Sequence, residues 1–585
     1  MQVILRKEGI FMRNDIPRPE YPRPQLVREN WLNLNGTWQF EIDHGRSGRE
    51  RGLPEAGNLS GSILVPFCPE SRLSGVEYKD FMASVWYRRE FELPADWAGG
   101  RLLLHFGAVD YDAEAWVNGV SAGKHRGGYS SFSFDITALV KPGRNILTVC
   151  ADDDTRSGLQ PRGKQSNRYH SCGCLYTRTT GIWQTVWLER TPEAYIKSLI
   201  LTPDPENACL YVEAEFGGTA CGMRLAAEAT YEGKPVGSAE AMVSGASARL
   251  PLKLSEVHLW EPGAPRLYDL KLTLSGGSEA DAVSSYFGMR SLAWDGKAMR
   301  VNGRIVFQRL ILDQGFYPDG IYTAPADADL KRDIELSMAM GFNGARLHEK
   351  MFEQRFLYWA DKLGYMVWGE HANWGLDISG PMGLERFLPE WMETLKRDYS
   401  HPAIVGWCPF NETNRGQDDN VLAAVYAVTK LFDATRPVID TSGYVHVVTD
   451  IYDVHDYDQN VGAFTARYAA QAQGGEAFVN HPGREFYQGQ PYFVSEYGGI
   501  WWNPGQTDEE AWGYGDRPRS EAEFLERYEG LTNALLDNPA ICAFCYTQLT
   551  DVEQEVNGLH TYDRKPKFDP AVIRRINTKK AAIEE

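Results

Sequence analysis

The sequence lacks long apolar runs. No window of the 585 residues reaches the roughly 18 apolar residues that a membrane-spanning helix needs. The N-terminal stretch MQVILRKEGIFMRNDIPRPE is interrupted early by charged residues and prolines, so it has no apolar core of signal-peptide length. The residues before Met12 also look unrelated to the rest of the chain, which makes Met12 a candidate translation start. We therefore expect no membrane partner and a cytoplasmic location.

Cysteine and positive charge are also scarce. The nine cysteines are scattered, and neither close pair, Cys172 with Cys174 or Cys542 with Cys545, has a second pair at zinc-ligand spacing. This distribution favours reduced thiols, and we expect neither a metal nor another cofactor. The 60 lysines and arginines are outnumbered by 79 aspartates and glutamates, which gives a net charge of −19. Such an acidic balance argues against nucleic acid as a partner.

The first half of the chain is rich in short β-strand patterns. Up to about residue 193, runs such as GTWQFEI and SVWYRREFEL, rich in β-branched and aromatic residues, alternate with turn residues. Strands that recur without intervening helices predict a β jelly roll over residues 1–193. The same texture continues in shorter form to about residue 290, which predicts an immunoglobulin-like β-sandwich over 194–290.

From residue 291 onward, apolar runs alternate with amphipathic segments. Helical patterns such as ADADLKRDIELSMAMG, with acidic residues at its start and glycine at its end, separate eight candidate strands. This order predicts a (β/α)8 TIM barrel over residues 291–585. The polar, glycine-rich stretch 457–490 is then a long loop of the kind that is often functional. The candidate strands are 305–312, 343–347, 366–370, 404–410, 438–442, 451–455, 492–497 and 541–548.

Polar residues concentrate at the C-terminal ends of these strands, where a TIM barrel carries its active site. Glu412 ends the fourth strand in GWCPFNET, and Glu496 ends the seventh in YFVSEYGG. Glycoside hydrolysis requires two carboxyl groups across one mouth, one protonated and one ionised. We expect apolar neighbours to raise the pKa of Glu412. The other candidate site residues are Asp313, Arg346, His348, Glu370, Trp374, Asn411, His455, Tyr457, Tyr546 and Asp551.

Each candidate residue also has a purely structural explanation. A glutamate at a strand end is often a helix cap or half of a surface ion pair, and Trp374 can belong to the core. Arg346 and Glu370 can pair only to stabilise the barrel. The occurrence of two glutamates at the ends of the fourth and seventh strands outweighs these explanations, because both would face the same mouth.

These residues give the chain a resemblance to glycoside hydrolase family 2, which includes β-galactosidases, β-glucuronidases and β-mannosidases. The resemblance implies a sugar-binding jelly roll, an immunoglobulin-like domain and a catalytic barrel. It also implies a retaining mechanism, with Glu412 as acid/base and Glu496 as nucleophile. By the same resemblance Asn411 contacts the sugar 2-hydroxyl, and Arg346 and Tyr457 are partners of the nucleophile. Many members form dimers or tetramers, so a homo-oligomer is expected. The matching motifs are FGAVDYDAEAWVNG, RTTGIWQTVWLE, VNGRIVFQRLILDQG, GFNGARLHEK, PFNET and VSEYGG.

Two departures from the family patterns bear on the sugar. β-Glucuronidases carry an Asn-x-Lys pair before the glycine of the last barrel loop, which holds the sugar carboxylate. Here that loop reads EQEVNG, with Glu553 and Glu555 and no lysine before Gly558. Large β-galactosidases place an aspartate shortly before SGI, and the corresponding stretch CGCLYTRTTGI lacks it. The missing uronate clamp leads us to expect β-galactoside-like neutral substrates.

Two alternatives remain open from the sequence. The first is a β-glucuronidase or β-galacturonidase whose carboxylate clamp comes from elsewhere, for instance from an arginine or histidine of the 457–490 loop. The second is a carbohydrate-binding protein without catalytic activity. Turnover of aryl glycosides separates the second alternative from both enzymatic ones, and the ratio of glucuronide to galactoside turnover separates the enzymatic ones from each other.

Overall fold

The computed structural model describes residues 4–6, 9–11, 16–55, 57–97, 99–505 and 509–584. The candidate start Met12 lies outside these residues. Two antiparallel β regions precede a parallel sheet that alternates with helices. The predicted architecture of jelly roll, immunoglobulin-like sandwich and TIM barrel is therefore confirmed, while the boundaries drawn at 193 and 290 remain predictions.

The first region is a two-sheet sandwich. Its strands β1 to β14 span Ile4–Arg6, Gly9–Phe11, Trp31–Asn33, Gly36–Ile42, Gly61–Val65, Ser84–Glu92, Arg101–Phe106, Val109–Asp110, Asp112–Val117, Val120–Arg126, Phe132–Asp135, Arg144–Asp152, Gly181–Ile182 and Val186–Thr191. A six-stranded sheet ordered β10-β9-β12-β6-β4-β5 faces a four-stranded sheet ordered β11-β7-β14-β3, while β1 with β2 and β8 with β13 form separate two-stranded sheets. Alternating apolar residues such as Trp38, Phe40 and Leu104 fill the space between the sheets. Residues 153–180, here called the crossing segment, leave this sandwich between β12 and β13.

The second region is a smaller sandwich. Its strands β15 to β21 span Tyr195–Asp204, Cys209–Gly217, Arg224–Tyr231, Lys234–Met242, Ser247–Lys253, Tyr268–Ser275 and Asp281–Phe287. Three of them form one sheet, ordered β15-β16-β19, and four form the other, ordered β18-β17-β20-β21. Along β20 every second residue is buried, which is the pattern of a strand with one face on a core. A three-stranded antiparallel unit, β22 to β24 at Leu292–Asp295, Ala298–Val301 and Arg304–Ile305, follows it.

The third region is the barrel. Strands β25 to β31 span Gln308–Asp313, Gly344–Leu347, Met366–Glu370, Ile404–Cys408, Tyr452–Asp456, Tyr492–Gly498 and Ile541–Thr547. They form a parallel sheet ordered β28-β27-β26-β25-β31-β30-β29, and nearly every residue in it is buried. The predicted fifth strand, 438–442, is present as two parallel bridges to the β28 side, Trp407 with Val438 and Asn411 with Ser442. The Ser442 hydroxyl then donates to Asp453 of β29 at 2.6 Å.

Helices cover the outside of the barrel. Most begin at a residue that caps the free N–H groups; Ser520, for example, accepts from the Glu523 N–H ahead of α6. The predicted long loop 457–490 instead contains α5, which Asn460 caps, so that prediction was partly wrong. Among the described residues no helix combines the length and the apolarity that crossing a bilayer demands. Helices α1 to α7 span Asp327–Ala339, Gln354–Leu363, Pro381–Asp398, Asp419–Phe432, Val461–Ala472, Glu521–Leu536 and Pro570–Asn577.

A separate apolar cluster joins the first sandwich to the barrel. Tyr176 of the crossing segment packs edge-on against Phe316, with ring centroids 4.9 Å apart. Trp183 lies against Tyr322 at 5.2 Å. All four rings are buried in one cluster with residues of both regions. The crossing segment is therefore held against the mouth of the barrel by a packed interface.

Candidate active site

Glu412 lies just beyond the end of β28, in an unusual backbone conformation. Its N–H bonds the Ser442 carbonyl at 2.9 Å, which ties the chain to the bridging segment 438–442. Its φ of +42° is left-handed, which is uncommon for a residue with a Cβ. Such conformations persist only where the surrounding structure imposes them, and they cluster at functional sites.

Glu412 and Glu496 face each other across the mouth with His455 between them. Each of the three side chains offers an oxygen or nitrogen atom, and these atoms lie within 4.8 Å of one another. The His455 Nδ1 lies 2.7 Å from Glu412 Oε1, and its Nε2 lies 3.4 Å from Glu496 Oε1. Retaining glycosidases hold their two carboxyl groups about 5–5.5 Å apart, whereas inverting enzymes need about 6.5–9.5 Å. The spacing matches the retaining class.

Glu496 is buried and held by donors on both carboxylate oxygens. The Arg346 Nη1 donates to Oε1 at 3.1 Å, and the Tyr457 hydroxyl donates to Oε2. Burial lowers the pKa of Arg346, but the carboxylates of Glu370 and Glu496 outweigh it and hold that pKa well above its usual range. A permanent cation and a hydroxyl donor both stabilise negative charge on Glu496.

Glu412 has a different environment. Its side chain is 36% exposed. Burial raises its pKa, but the hydrogen bond to His455 and the charges of Lys164 and Arg346 lower it below the usual value. For His455, burial lowers the pKa, but the carboxylates of Glu496 and Glu412 outweigh burial and raise the pKa above its usual value. The expectation that apolar neighbours raise the pKa of Glu412 was therefore wrong, because the hydrogen bond to His455 and the nearby cations outweigh the effect of burial.

Asn411 presents an unused donor to the mouth. Its Oδ1 accepts from Arg346 at 3.1 Å, and its Nδ2 is buried without a hydrogen-bond partner in the described structure. The Asn373 side chain fixes the main chain of Asn411 through two bonds of 2.7 and 3.1 Å. Trp374 Nε1 donates to the main-chain carbonyl of Asn411 at 3.1 Å. A rigidly held amide N–H that lacks an acceptor suits a sugar hydroxyl.

His348 and Glu370 complete the floor of the mouth. Glu370 accepts from Arg346 Nε at 2.6 Å, so it orients the guanidinium that contacts Glu496. His348 Nδ1 lies 3.5 Å from Glu370 and 3.8 Å from Glu496. Burial and the nearby Lys164 charge hold the pKa of His348 well below its usual range, so the imidazole is neutral. A neutral ring can donate or accept one hydrogen bond from a sugar.

Tyr546 does not lie in the site as predicted. It is fully buried, and its ring packs on Tyr528 of α6 at 4.9 Å. Side chains alternate along a strand, so Tyr546 faces the helices while its neighbour Thr547 faces the mouth. The Thr547 hydroxyl lies 3.1 Å from the Tyr457 hydroxyl. The strand was predicted correctly, but the residue assigned to the mouth was off by one position.

Asp551 has structural partners on both carboxylate oxygens, whereas among the described residues Asp313 is tied only to the turn that follows its strand. Asp551 accepts from Lys567 at 2.5 Å and from the Gly558 N–H at 3.0 Å, which fixes the loop after β31. Asp313 accepts from the Gly315 N–H at 2.9 Å. Burial and the nearby Asp333 raise the pKa of Asp313 to about 7. Asp551 is therefore corrected to a scaffold position, whereas the place of Asp313 in the sugar site stays a prediction.

Two residues at the mouth were missed. Glu349 follows His348, and its Oε2 accepts from the Asn373 and Trp374 N–H groups at 3.0 and 3.1 Å, while its buried Oε1 has no partner in the described structure. Burial raises its pKa to about 8. Tyr514 stacks on Tyr457 with ring centroids 3.5 Å apart. Glu349 could have been found from its place one residue past a predicted strand end, whereas Tyr514 comes from a loop without a sequence signal.

A third missed residue, Lys164, reaches the mouth from the crossing segment. Its ammonium lies 3.9 Å from the centroid of the Trp374 ring. A cavity of about 990 Å³ lies on the Glu412 side, between the crossing segment and the barrel. It is lined by Arg162, Arg168 and Cys172 of the crossing segment and by Trp374, Glu412 and His455 of the barrel. This volume suits the aglycone of a glycoside, because it opens beside Glu412.

The atoms of Glu412, His455 and Glu496 are also of the types that bind divalent metals. Both Glu496 oxygens, however, already accept from Arg346 and Tyr457. A guanidinium beside the carboxylate repels a second cation, so the arrangement suits carboxylate chemistry better than metal binding.

Comparison with family models gives three matches along the chain. "Glycosyl hydrolases family 2, sugar binding domain" matches residues 73–192, "Glycosyl hydrolases family 2" matches 202–290, and "Glycosyl hydrolases family 2, TIM barrel domain" matches 324–580. The three follow one another in the order of the two sandwiches and the barrel.

Individual proteins resemble this chain at low sequence identity. A β-glucuronidase of Felis catus is 26% identical over 472 residues, which cover 72% of this chain and 69% of that one. A Formosa agariphila relative is 25% identical over 530 residues, 88% of this chain, and the chain spans 46% of its length. The structure of Ruminococcus gnavus β-glucuronidase with D-glucuronic acid superposes with a TM-score of 0.79 at 19% identity, covering 96% of this chain and 100% of that one.

Proposed function

This chain belongs to glycosyl hydrolase family 2 and is a β-glycosidase, and from that premise we propose that it removes terminal β-linked glucuronic acid with retention of configuration. The observation that carries the mechanism is the placement of Glu412 and Glu496 around His455 within 4.8 Å. In this proposal Glu496 is the nucleophile and Glu412 is the acid/base.

The first step forms a glycosyl-enzyme ester. A Glu496 oxygen attacks the anomeric carbon while the bond from that carbon to the aglycone oxygen breaks. The leaving oxygen takes its proton from Glu412 and departs as the alcohol. The lowered pKa of Glu412 and the raised pKa of His455 favour the proton on His455, so in this proposal it moves across their 2.7 Å contact as the aglycone oxygen approaches. His455 thereby supplies the protonated acid that the first step requires.

The second step regenerates the site. Water attacks the anomeric carbon, its proton passes to Glu412, and the ester bond to Glu496 breaks, which releases the sugar with its original configuration. Arg346 and Tyr457 stabilise the departing carboxylate, because both donate to its oxygens. The Asn411 Nδ2 donates to the sugar 2-hydroxyl through both steps.

The choice of a uronide over the expected neutral β-galactoside rests on the comparisons. The relatives from cat, pig and human, which align over 72–82% of this chain, are described as β-glucuronidases. The alternative drawn from the sequence, a uronidase with a different clamp, is therefore favoured over the neutral substrate. This choice requires a cation at the site, since a buried carboxylate without one is strongly disfavoured.

A panel of nitrophenyl β-glycosides tests the proposal. We expect turnover of the β-glucuronide to exceed that of the β-galactoside and β-glucoside by at least about 100-fold in kcat/KM, the scale of a desolvated charge contact. Proton NMR of the first product should show the β-anomer ahead of mutarotation. A preference for a neutral sugar would reject the uronide, and an initial α-anomer would reject retention. Binding without turnover of any glycoside would indicate a non-catalytic protein.

A neutral β-glycoside is the second candidate, and one observation favours it. Glu555, an acid, lies in the loop where β-glucuronidases carry their Asn-x-Lys pair. Carboxyl oxygens are good acceptors for sugar hydroxyls. The panel separates the two candidates directly.

A further inference from the structure

A uronic acid brings a carboxylate into a mouth that is already rich in acids. The cations of the loop after β31 are already engaged, since Lys567 pairs with Asp551 and Arg564 pairs with Asp333. Glu555 accepts from the Tyr176 hydroxyl at 2.6 Å and from Asn557 at 3.0 Å. These contacts hold Glu555 in a closed network of hydrogen bonds. A substrate carboxylate therefore needs a cation from another part of the protein.

We propose that Lys164, carried by the first sandwich, binds the carboxylate of the uronic acid, an assignment that rests on the proposed uronide hydrolysis. It would make the crossing segment part of the barrel's sugar site. The chemical class of ligand is a β-linked hexuronic acid, and the contact is a charge-assisted hydrogen bond between the ammonium and the carboxylate.

The backbone around Lys164 is fixed against the barrel. The N–H groups of Arg162 and Gly163 both donate to the Trp374 carbonyl, at 2.8 and 3.1 Å, and the Lys164 carbonyl accepts from Tyr176 at 2.8 Å. Gly163 has a φ of +57°, and a Cβ there would lie 2.4 Å from the Glu349 carbonyl oxygen. Only glycine permits this close approach of the two regions. Lys164 is therefore positioned by main-chain contacts that do not depend on its own side chain.

The side chain of Lys164 is buried but lacks an acidic partner in direct contact. The residue is 6% exposed, and its ammonium lies over the Trp374 ring. Within the described residues this ammonium has no hydrogen bond and no ion pair, which is unusual for a buried lysine. Burial lowers its pKa, but Cys174, Glu555, Glu412 and Glu496 raise it above the usual value. The ammonium is thus charged, with unused donors.

Other cations near the mouth are already engaged. Arg346 donates to Glu370, Glu496 and Asn411. The Lys350 ammonium donates to the carbonyls of Gly315 and Tyr322, and Lys567 pairs with Asp551. Arg168 lines the cavity but is exposed at its rim. Lys164 combines burial, charge and unused donors where the crossing segment meets Trp374 of the barrel.

The test compares nitrophenyl β-glucuronide with its neutral methyl ester. We expect Lys164→Met to lower kcat/KM for the acid by about 100-fold and for the ester by less than about threefold, since only the acid loses a charge contact. Lys164→Arg should retain most of the preference for the acid because it keeps the cation. Lys124→Met, at an exposed lysine of the first sandwich, is the matched control and should leave kcat/KM unchanged for both substrates. Lys164→Gln is the second variant if the methionine protein does not fold.

The outcomes separate this inference from the proposed function. If the wild-type enzyme does not hydrolyse the glucuronide, the proposed function fails and the inference falls with it. If the wild type prefers the acid and Lys164→Met lowers kcat/KM equally for the acid and the ester, only the inference fails. Lys164 then stabilises the fold and does not bind the sugar carboxylate. A selective loss in Arg168→Gln instead of Lys164→Met also overturns it, since the clamp would then be at the cavity rim.

Discussion

The two sides of the catalytic mouth differ in how firmly each carboxyl group is held. Glu496 is 4% exposed and receives donors from Arg346 and Tyr457 on its two oxygens. Glu412 has a strained backbone, a side chain 36% exposed and one close partner, His455. A nucleophile gains from a fixed, charged carboxylate, whereas an acid/base must exchange a proton with the leaving group and with water. The asymmetry therefore supports the proposed roles without reference to any relative.

The firmly held side should be the less tolerant of change. Glu496→Ala removes the attacking oxygen, and we expect kcat for the nitrophenyl glucuronide to fall by at least about 10⁴-fold. Steady-state kinetics on protein with an unchanged thermal unfolding transition measures this. Activity within tenfold of the wild type would transfer the nucleophile role to another residue.

The exposed side should depend on the leaving group. Glu412→Ala should lower kcat/KM by about 10²–10⁴-fold for alkyl glucuronides, which need a proton on the departing oxygen. Dinitrophenyl glucuronide should lose much less in the first step, and azide should restore turnover by entering the space of the missing carboxylate. An equal loss on both leaving groups would break the assignment of Glu412 as the acid.

The proton shared by Glu412 and His455 should set the basic limb of the pH profile. The pKa of His455 is raised above its usual value, so the pair keeps its proton to higher pH than an isolated carboxyl group would. In His455→Gln the proton must reside on Glu412 alone, and the basic limb of kcat/KM should move to lower pH, with about a tenfold loss at neutral pH. An unmoved limb would mean that His455 only positions Glu412.

A residue assigned to the scaffold should have the smallest effect. Tyr546→Phe removes a hydroxyl that accepts from the Ile500 N–H at 3.3 Å behind the barrel wall. We expect kcat/KM to change by less than about twofold and the free energy of unfolding to fall by about 1 kcal/mol. A large rise in KM at unchanged stability would return Tyr546 to the sugar site.

Much of this arrangement can be predicted from patterns within the barrel sequence. The strand ends at Glu412 and Glu496 were predicted because apolar runs stop abruptly at polar residues. The same logic assigned Tyr546 to the mouth, since sequence alone does not fix which face of a strand a residue takes near its end. A shift of one residue reverses that face.

The rest could not be predicted from the barrel alone. Lys164 belongs to the first sandwich and reaches the mouth only because the crossing segment folds back across the domain junction. The lowered pKa of Glu412 depends on a side-chain contact with His455, which no spacing in the sequence encodes. Both features arise from tertiary packing between segments far apart in the chain.

Trapping of the covalent intermediate tests the central assignment most directly. A fluorinated glucuronide with a good leaving group, substituted at the sugar 2-position, slows the second step and lets the glycosyl-enzyme accumulate. Peptide mass spectrometry should then find one uronyl group on Glu496 of the wild-type enzyme. A uronyl group on another residue, or inactivation without any covalent sugar, would contradict the two-step mechanism with Glu496 as its nucleophile.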